Sequence, residues 1–226
     1  MGIDAEDPAD RIACQYHPWW NFPSASVVKV IILGTLLREL QAAHQHIGPG
    51  QAALARAMIT QSDNDAATAL WNEVGMARLQ RFLTAAGMSH TDLPDSGFWG
   101  LTEINAHDEL LLLRLLVTRN KVLDGASRAY ALNLMAEVIP SQRWGAPAGA
   151  PANVTVHVKN GWLPDPALWV INSIGDFTHR GGAYSIAILT RDNPSMAYGV
   201  STVASVASPI NRGLAGYAQW VARRSR

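Results

Sequence analysis

The sequence predicts an α/β protein in which an antiparallel sheet is flanked by helices and an all-helical block is inserted into it. Three observations carry that prediction. Helical periodicity broken by Gly and Pro fills the chain from residue 26 to Val138. Three β-branched and aromatic runs bounded by turn residues follow Pro151. A short, turn-rich opening holds one more run of strand character, Arg11–Tyr16. Residues 1–25 and 152–226 are therefore expected to build the sheet and 26–151 the helical block, within one domain of 226 residues.

In chain order, a first long helix is expected over 26–44, stopped by Gly48-Pro49-Gly50, and a second over Gln51–Gln61. The polar knot Gln61-Ser62-Asp63-Asn64-Asp65 opens a third helix, and Met76–Ala86 is a fourth, closed by Gly87. Residues 88–101 read as irregular, Asn105–Val117 and Ser127–Val138 as helices. Strands are expected over Val154–Lys159, Leu168–Phe177 and Ala183–Thr190, with a last helix over Pro209–Arg223.

Composition narrows the function. Hydrophobic residues make up 48% and charged residues 16%, which fits a compact fold with much buried surface. The formal net charge is zero, so no electrostatic footprint for nucleic acid is present. The single Cys14 cannot close an internal disulfide, and no Cys/His spacing suggests a metal site, so no metal or cofactor is expected. The start of the chain has no basic and apolar leader pattern, and no apolar run reaches membrane-span length.

Three polar stations carry chemistry. The first is Ser26-Val27-Val28-Lys29, where the loop through Pro23 and Ser24 enters the apolar first helix. A serine in a first helical turn sits at the positive end of the dipole, and a lysine three positions on lies one turn deeper on the same face. A neutral amine there can take the hydroxyl proton. The second is Ser62-Asp63-Asn64, in which Ser62 could pass a proton to a leaving nitrogen and Asn64 could hold a substrate amide. Taken alone, Ser62 or Asp63 reads better as a simple helix cap. The third is Lys159-Asn160-Gly161-Trp162. Lys159 would hold a substrate carboxylate and lower the pKa of Lys29, Gly161 would admit the substrate backbone, and the N–H groups of Trp162 and Ser26 could form an oxyanion hole. Asn160-Gly161 is also a strong hairpin-turn signal. The chain has only three lysines, Lys29, Lys121 and Lys159. Two of them fall at these stations, which suggests a need for an ammonium that can lose its proton.

In this order, Ser26-Val-Val-Lys29, Ser62-Asp-Asn64 and Lys159-Asn-Gly161 resemble the motifs of the penicillin-recognising serine hydrolases, and of the class A β-lactamases in particular. The resemblance implies a β-lactamase/transpeptidase-like fold with Ser26 as acylated nucleophile and Lys29 as its partner. Ser62 would then be the proton shuttle, Asn64 and Asn160 substrate ligands, and Lys159 the carboxylate anchor. It also implies a secreted or cell-envelope protein, if a leader has been trimmed from the N-terminus. The chain departs from the family in four places. Asn160 stands where a hydroxyl residue is usual, the stretch between the first two motifs is short, and the family's opening helix is absent or has been cut away. Leu93–Asn105 offers no equivalent of the glutamate that activates the deacylating water, leaving Asp95, Glu103 and Lys29 as substitutes, with Glu103 expected at the surface.

The expected function is a β-lactamase-like serine hydrolase that acylates Ser26 with a β-lactam or another carboxylate-bearing amide or peptide and deacylates slowly. The alternative is a protein that binds or senses β-lactams or peptidoglycan fragments without turnover. The expected partner is a small-molecule or peptide substrate. A second copy of the chain, or residues 1–10, is expected to cover an apolar strip of the sheet.

Overall fold

The computed structural model describes residues 1–8, 12–165, 167–180 and 182–224, with side chains only up to residue 214. The strands are β1 (Gly2–Asp7), β2 (Ile12–Tyr16), β3 (Phe22–Pro23), β4 (Glu103–Ile104), β5 (Thr155–Asp165), β6 (Leu168–His179) and β7 (Gly182–Asn193). The helices are α1 (Lys29–Ala42), α2 (Pro49–Thr60), α3 (Asn64–Val74), α4 (Met76–Ala86), α5 (Ala106–Val117), α6 (Gly125–Ala136) and α7 (Met196–Arg224). Five strands make one antiparallel sheet in the order β2-β1-β7-β6-β5, and β3 pairs with β4 apart from it.

The sheet separates two apolar clusters. On its inner face Ile174, Ala187 and Leu189 join residues of α1 to α6; on its outer face Ile3, Ile171, Phe177, Ile186 and Ile188 pack with Val203, Ala207 and Leu214 of α7. Every residue from Val30 to Leu37 in α1 is buried. A helix apolar all round has no face for water, so α1 must run through the middle of the helical block. That placement holds the two polar residues at its entrance, Ser26 and Lys29, against the sheet's inner face.

Several expected elements differ in the structure. The opening holds a hairpin rather than one strand, and residues 2–7 lie inside the sheet instead of covering it: Ile3 pairs with Ile188 of β7 and with Tyr16 of β2. Arg11, the expected first residue of that strand, lies outside the described residues. The acids of β1 hide its strand character, but Asp4 and Glu6 have distant partners. Asp4 accepts from Gln15 and meets His107, and Glu6 pairs with Arg114 of α5. The helix expected from Pro209 begins at Met196, with Pro209 in its interior. The third and most consequential difference is β5, which runs straight through Asn160-Gly161 to Asp165.

One buried acid has no such partner. Glu109 on α5 is fully buried beside Leu112, Leu113 and Leu116, and neither carboxyl oxygen has a hydrogen-bond partner among the described residues. Burial, reinforced by the neighbouring Asp108, raises its pKa from 4.5 to about 8. Between those values the folded protein keeps a proton that the unfolded chain releases, so the group erodes stability as pH rises through this window. Glu109→Leu is therefore expected to stabilise by roughly 2–4 kcal/mol at pH 8 and by clearly less at pH 5. Urea unfolding at the two pH values measures both; an equal gain at each would remove the ionisation argument.

Candidate active site

The nucleophile candidate sits on a tight entry. Ser24 N–H donates to Thr102 O at 2.8 Å, anchoring the loop before the helix. Ala25 then adopts a left-handed φ of 48°, unusual for a residue with a Cβ, and Ala25–Val28 forms a 3-10 turn leading into α1. Ser26 is buried to 9% exposure yet lines a cleft of about 430 Å³.

Lys29 is the first residue of α1 and is fully buried. Its Nζ donates to Ser62 O at 2.6 Å, to Asn64 Oδ1 at 2.8 Å and to Ser62 Oγ at 3.2 Å. Desolvation lowers its pKa from 10.5 to about 7, against the opposing charge of Asp63. The amine is thus poised between its two protonation states near neutrality.

Ser62 reaches this point because it too takes a left-handed φ, 59°, in the three-residue link between α2 and α3. Asp63 performs the capping role, its Oδ1 accepting from Ala66 N at 2.7 Å, which leaves the Ser62 hydroxyl to the buried lysines. Lys159 enters from β5, fully buried, and its Nζ donates to Ser62 Oγ at 2.9 Å and to Asn160 O at 3.0 Å. Desolvation first, and the neighbouring Lys29 second, hold its pKa well below the usual lysine range. A hydroxyl oxygen has two lone pairs and one proton. With both lysines donating to Ser62 Oγ, its own proton is left to point at a third group.

Gly161 explains why β5 does not turn. A Cβ there would lie 2.7 Å from Ser24 O and 2.9 Å from Ser26 N, so only glycine lets the strand pass against the nucleophile's backbone. Gly161→Ala must push Ser26 out of place. A loss of at least about a hundredfold in acylation is expected, since displacements near 1 Å cost that much. Near-normal labelling of the variant by an active-site reagent would contradict the contact.

Ser26, Lys29, Ser62, Asn64, Lys159, Gly161 and Trp162 are thus brought together; Asn160 is not. Strand alternation turns its side chain to the far face, where Nδ2 donates to Gln142 O at 2.7 Å and Trp144 O at 2.9 Å. The expected amide contact from Asn160 to a substrate is corrected accordingly: this residue holds the loop before β5. The Trp162 ring also meets Trp144, although the residue lines the cleft.

The 97–101 segment supplies what the motifs did not signal. The Trp99 ring centre lies 4.7 Å from Lys29 Nζ, and its Nε1 donates to Thr68 Oγ1 of α3 at 3.1 Å. The Phe98-Trp99 pair between Gly97 and Gly100 was the only sequence hint. Neither Asp95 nor Glu103 lines the cleft. Asp95 is exposed, and Glu103, rather than standing at the surface, is half-buried in β4 opposite Pro23 and bridged to Asp92. Burial raises the Glu103 pKa, with Arg191 opposing and Asp92 adding to the shift. Among the described residues no group of three His, Cys, Asp or Glu side chains could hold a metal ion, and no helix is long and apolar enough to cross a membrane.

Comparison with curated protein sequences finds no match. Solved structures with the same fold include the extended-spectrum β-lactamase TLA-3, at TM-score 0.80 and 15% identity over 94% of this chain and 92% of that one. A β-lactamase from Chitinophaga pinensis gives 0.80 at 17%, over 94% and 93% of the two chains. PBP-A gives 0.79 at 18%, over 95% and 89%. A sequence model described as the β-lactamase enzyme family matches residues 51–214, a span that includes Ser62 and Lys159 and begins after Lys29. As that span is well over half of its length, the chain belongs to the β-lactamase enzyme family.

Proposed function

We propose that the protein is a serine hydrolase acting on C–N amide bonds, in which Ser26 is acylated by a β-lactam or another carboxylate-bearing amide or peptide. The observation that carries this reading is the convergence of Lys29 and Lys159 on Ser62 Oγ, with the Lys29 pKa held at about 7. Neutral Lys29 takes the Ser26 hydroxyl proton as Oγ bonds to the carbonyl carbon. Lys29 then returns that proton through Ser62 Oγ to the leaving nitrogen as the C–N bond breaks. The N–H groups of Ser26 and Trp162 would hold the oxyanion, because Gly161 sets β5 against the Ser26 backbone. Asn64 would meet the substrate amide and Lys159 its carboxylate. A PBP-A variant has been solved as an acyl-enzyme complex with penicillin G, which accords with this reading.

The apolar face of Trp99 over Lys29 favours a second outcome for the same site: acylation without efficient release, as in a binding or sensing protein. Intact mass after incubation with penicillins and with acyl-D-Ala-type peptides separates the cases. A mass gain mapping to Ser26, absent in Ser26→Ala, is expected; a gain retained in Ser26→Ala would overturn the assignment.

The reading also includes a second copy of the chain over the outer edge of the sheet. Ile12, Cys14 and Tyr16 share that face with Ile3 and Ala5, and Tyr16 is 54% exposed. Light scattering that returns only monomer at all concentrations would remove it.

A further inference from the structure

The turn that carries Ser26 is held from the sheet by one buried amide. Asn172 of β6 lies directly opposite Gly161 of β5, two residues from Ile174 and so on the same inner face, and is fully buried. Its Nδ2 donates to Pro23 O at 2.8 Å and to Ser24 O at 3.3 Å. Its Oδ1 accepts from Thr190 N of β7 at 3.1 Å. Two donors and an acceptor on one short side chain are what an amide offers; Asp lacks the donors, and Leu lacks all three. In the sequence the residue is only a polar interruption of an apolar strand, Val170-Ile171-Asn172-Ser173-Ile174.

The two carbonyls that Asn172 engages set the course of the chain through Ser26. Ser24 O accepts from Val27 N at 3.2 Å, the bond that opens the 3-10 turn Ala25–Val28. Had that turn begun one residue earlier, Pro23 O would have accepted from Ser26 N. Asn172 engages this carbonyl, and the left-handed φ of Ala25, 48°, carries Ser26 N against β5, where a Cβ on Gly161 would lie 2.9 Å from it. A left-handed residue with a Cβ persists only where its surroundings over-determine it. Gly161 supplies the room, and Asn172 supplies the attachment. Asn172 itself does not line the cleft.

We infer that Asn172 is a positioning residue for acylation: its amide fixes the Pro23 and Ser24 carbonyls, and through them the aim of the Ser26 N–H and hydroxyl. The inference rests on Ser26 being the acylated residue, and it adds a residue that acts only through the backbone before Ser26. Asn211 of α7 provides a matched comparison on the outer face. It is also fully buried, donates to Ala146 O and Ala148 O at 2.8 Å each, and accepts from Tyr184 Oη at 2.8 Å.

Two measurements on Asn172→Ala and Asn211→Ala test this. The first is stopped-flow acylation by a chromogenic β-lactam over a range of concentrations, which separates the limiting rate constant from the dissociation constant of the complex before reaction. Asn172→Ala is expected to lower the rate constant at least about a hundredfold, the cost of misplacing a reacting group by about 1 Å. Its dissociation constant should stay within about threefold, because Asn64 and Lys159 are untouched. Asn211→Ala should lower the thermal midpoint while leaving the rate constant within about threefold. A rate constant near wild type in Asn172→Ala, or an equal fall in Asn211→Ala, would overturn the inference. Where an alanine variant does not fold, the serine variant at that position keeps one donor; Asn172→Ser should still lose about tenfold, and Asn211→Ser should lose nothing.

The second measurement needs no reaction. Hydrogen exchange, read by mass spectrometry over residues 22–30, should be at least about tenfold faster in Asn172→Ala and unchanged in Asn211→Ala. If wild-type protein forms no adduct, the acyl-enzyme reading fails. Faster exchange in Asn172→Ala would then retain Asn172 as the anchor of the Ser26 backbone, and unchanged exchange would reject that too.

Discussion

Lys29→Arg is expected to lower the rate of Ser26 acylation by about 10²–10⁴-fold, the usual contribution of a positioned general base. Arginine keeps a positive charge and can still donate to Ser62 O and Asn64 Oδ1, but it cannot present a neutral nitrogen. The wild-type lysine can, because burial holds its pKa at about 7. The sign follows directly: the base is the deprotonated form, so wild-type acylation should rise about tenfold per pH unit below 7 and level off above it. Lys159 donates to the same hydroxyl, so the observed midpoint belongs to the pair rather than to Lys29 alone. In Lys29→Arg the rising limb near 7 should vanish. Stopped-flow labelling with a chromogenic β-lactam across pH 5–9 measures rate and profile together. Near-normal acylation by the variant would mean that another base serves Ser26.

The second large effect concerns release. Hydrolysis of the ester needs a water held and deprotonated beside it, yet among the described residues no carboxylate lines the cleft, and an indole face covers Lys29. Loss of general-base help makes deacylation about 10²–10⁴-fold slower than it would otherwise be. A burst of one equivalent of product per Ser26, followed by a slow steady state, is the expected progress curve. Linear turnover without a burst, abolished by Asp95→Asn or Glu103→Gln, would show that one of those acids swings into the cleft and acts as the base.

Ser26, Lys29, Ser62 and Lys159 could be singled out as candidates because their chemistry is written in short spacings. A serine and a lysine three apart on a helix can only share a face, and a polar knot before a helix must spend one side chain as a cap. What was hidden depends on partners far along the chain. β1 reads as acidic loop until Asp4 meets Gln15 and His107, and Glu6 meets Arg114. Asn160-Gly161 has the chemistry of a turn, but the glycine answers to Ser24 and Ser26 and the asparagine to the carbonyls of Gln142 and Trp144. Local propensity carries no record of such contacts. The same holds for Trp99, whose role depends on lying over Lys29.

The position of β1 bears on how the chain acquires its shape. β1 lies between β2 and β7 in the sheet, and its central residues Ala5 and Glu6 pair with Ile186 and Ser185. During synthesis the β1–β2 hairpin emerges well before β7, so one edge of β1 stays open until β7 has been made. Meanwhile α1 follows with no polar face between Val30 and Leu37, and part of its cover comes from Ile174, Ala187 and Leu189. Contacts of such sequence separation make folding slow and leave a strand edge and an apolar helix exposed on the ribosome. Fragments ending before residue 180 should therefore be held by chaperones or aggregate, and the assembly of Ser26 with Lys159 should be among the last events of folding.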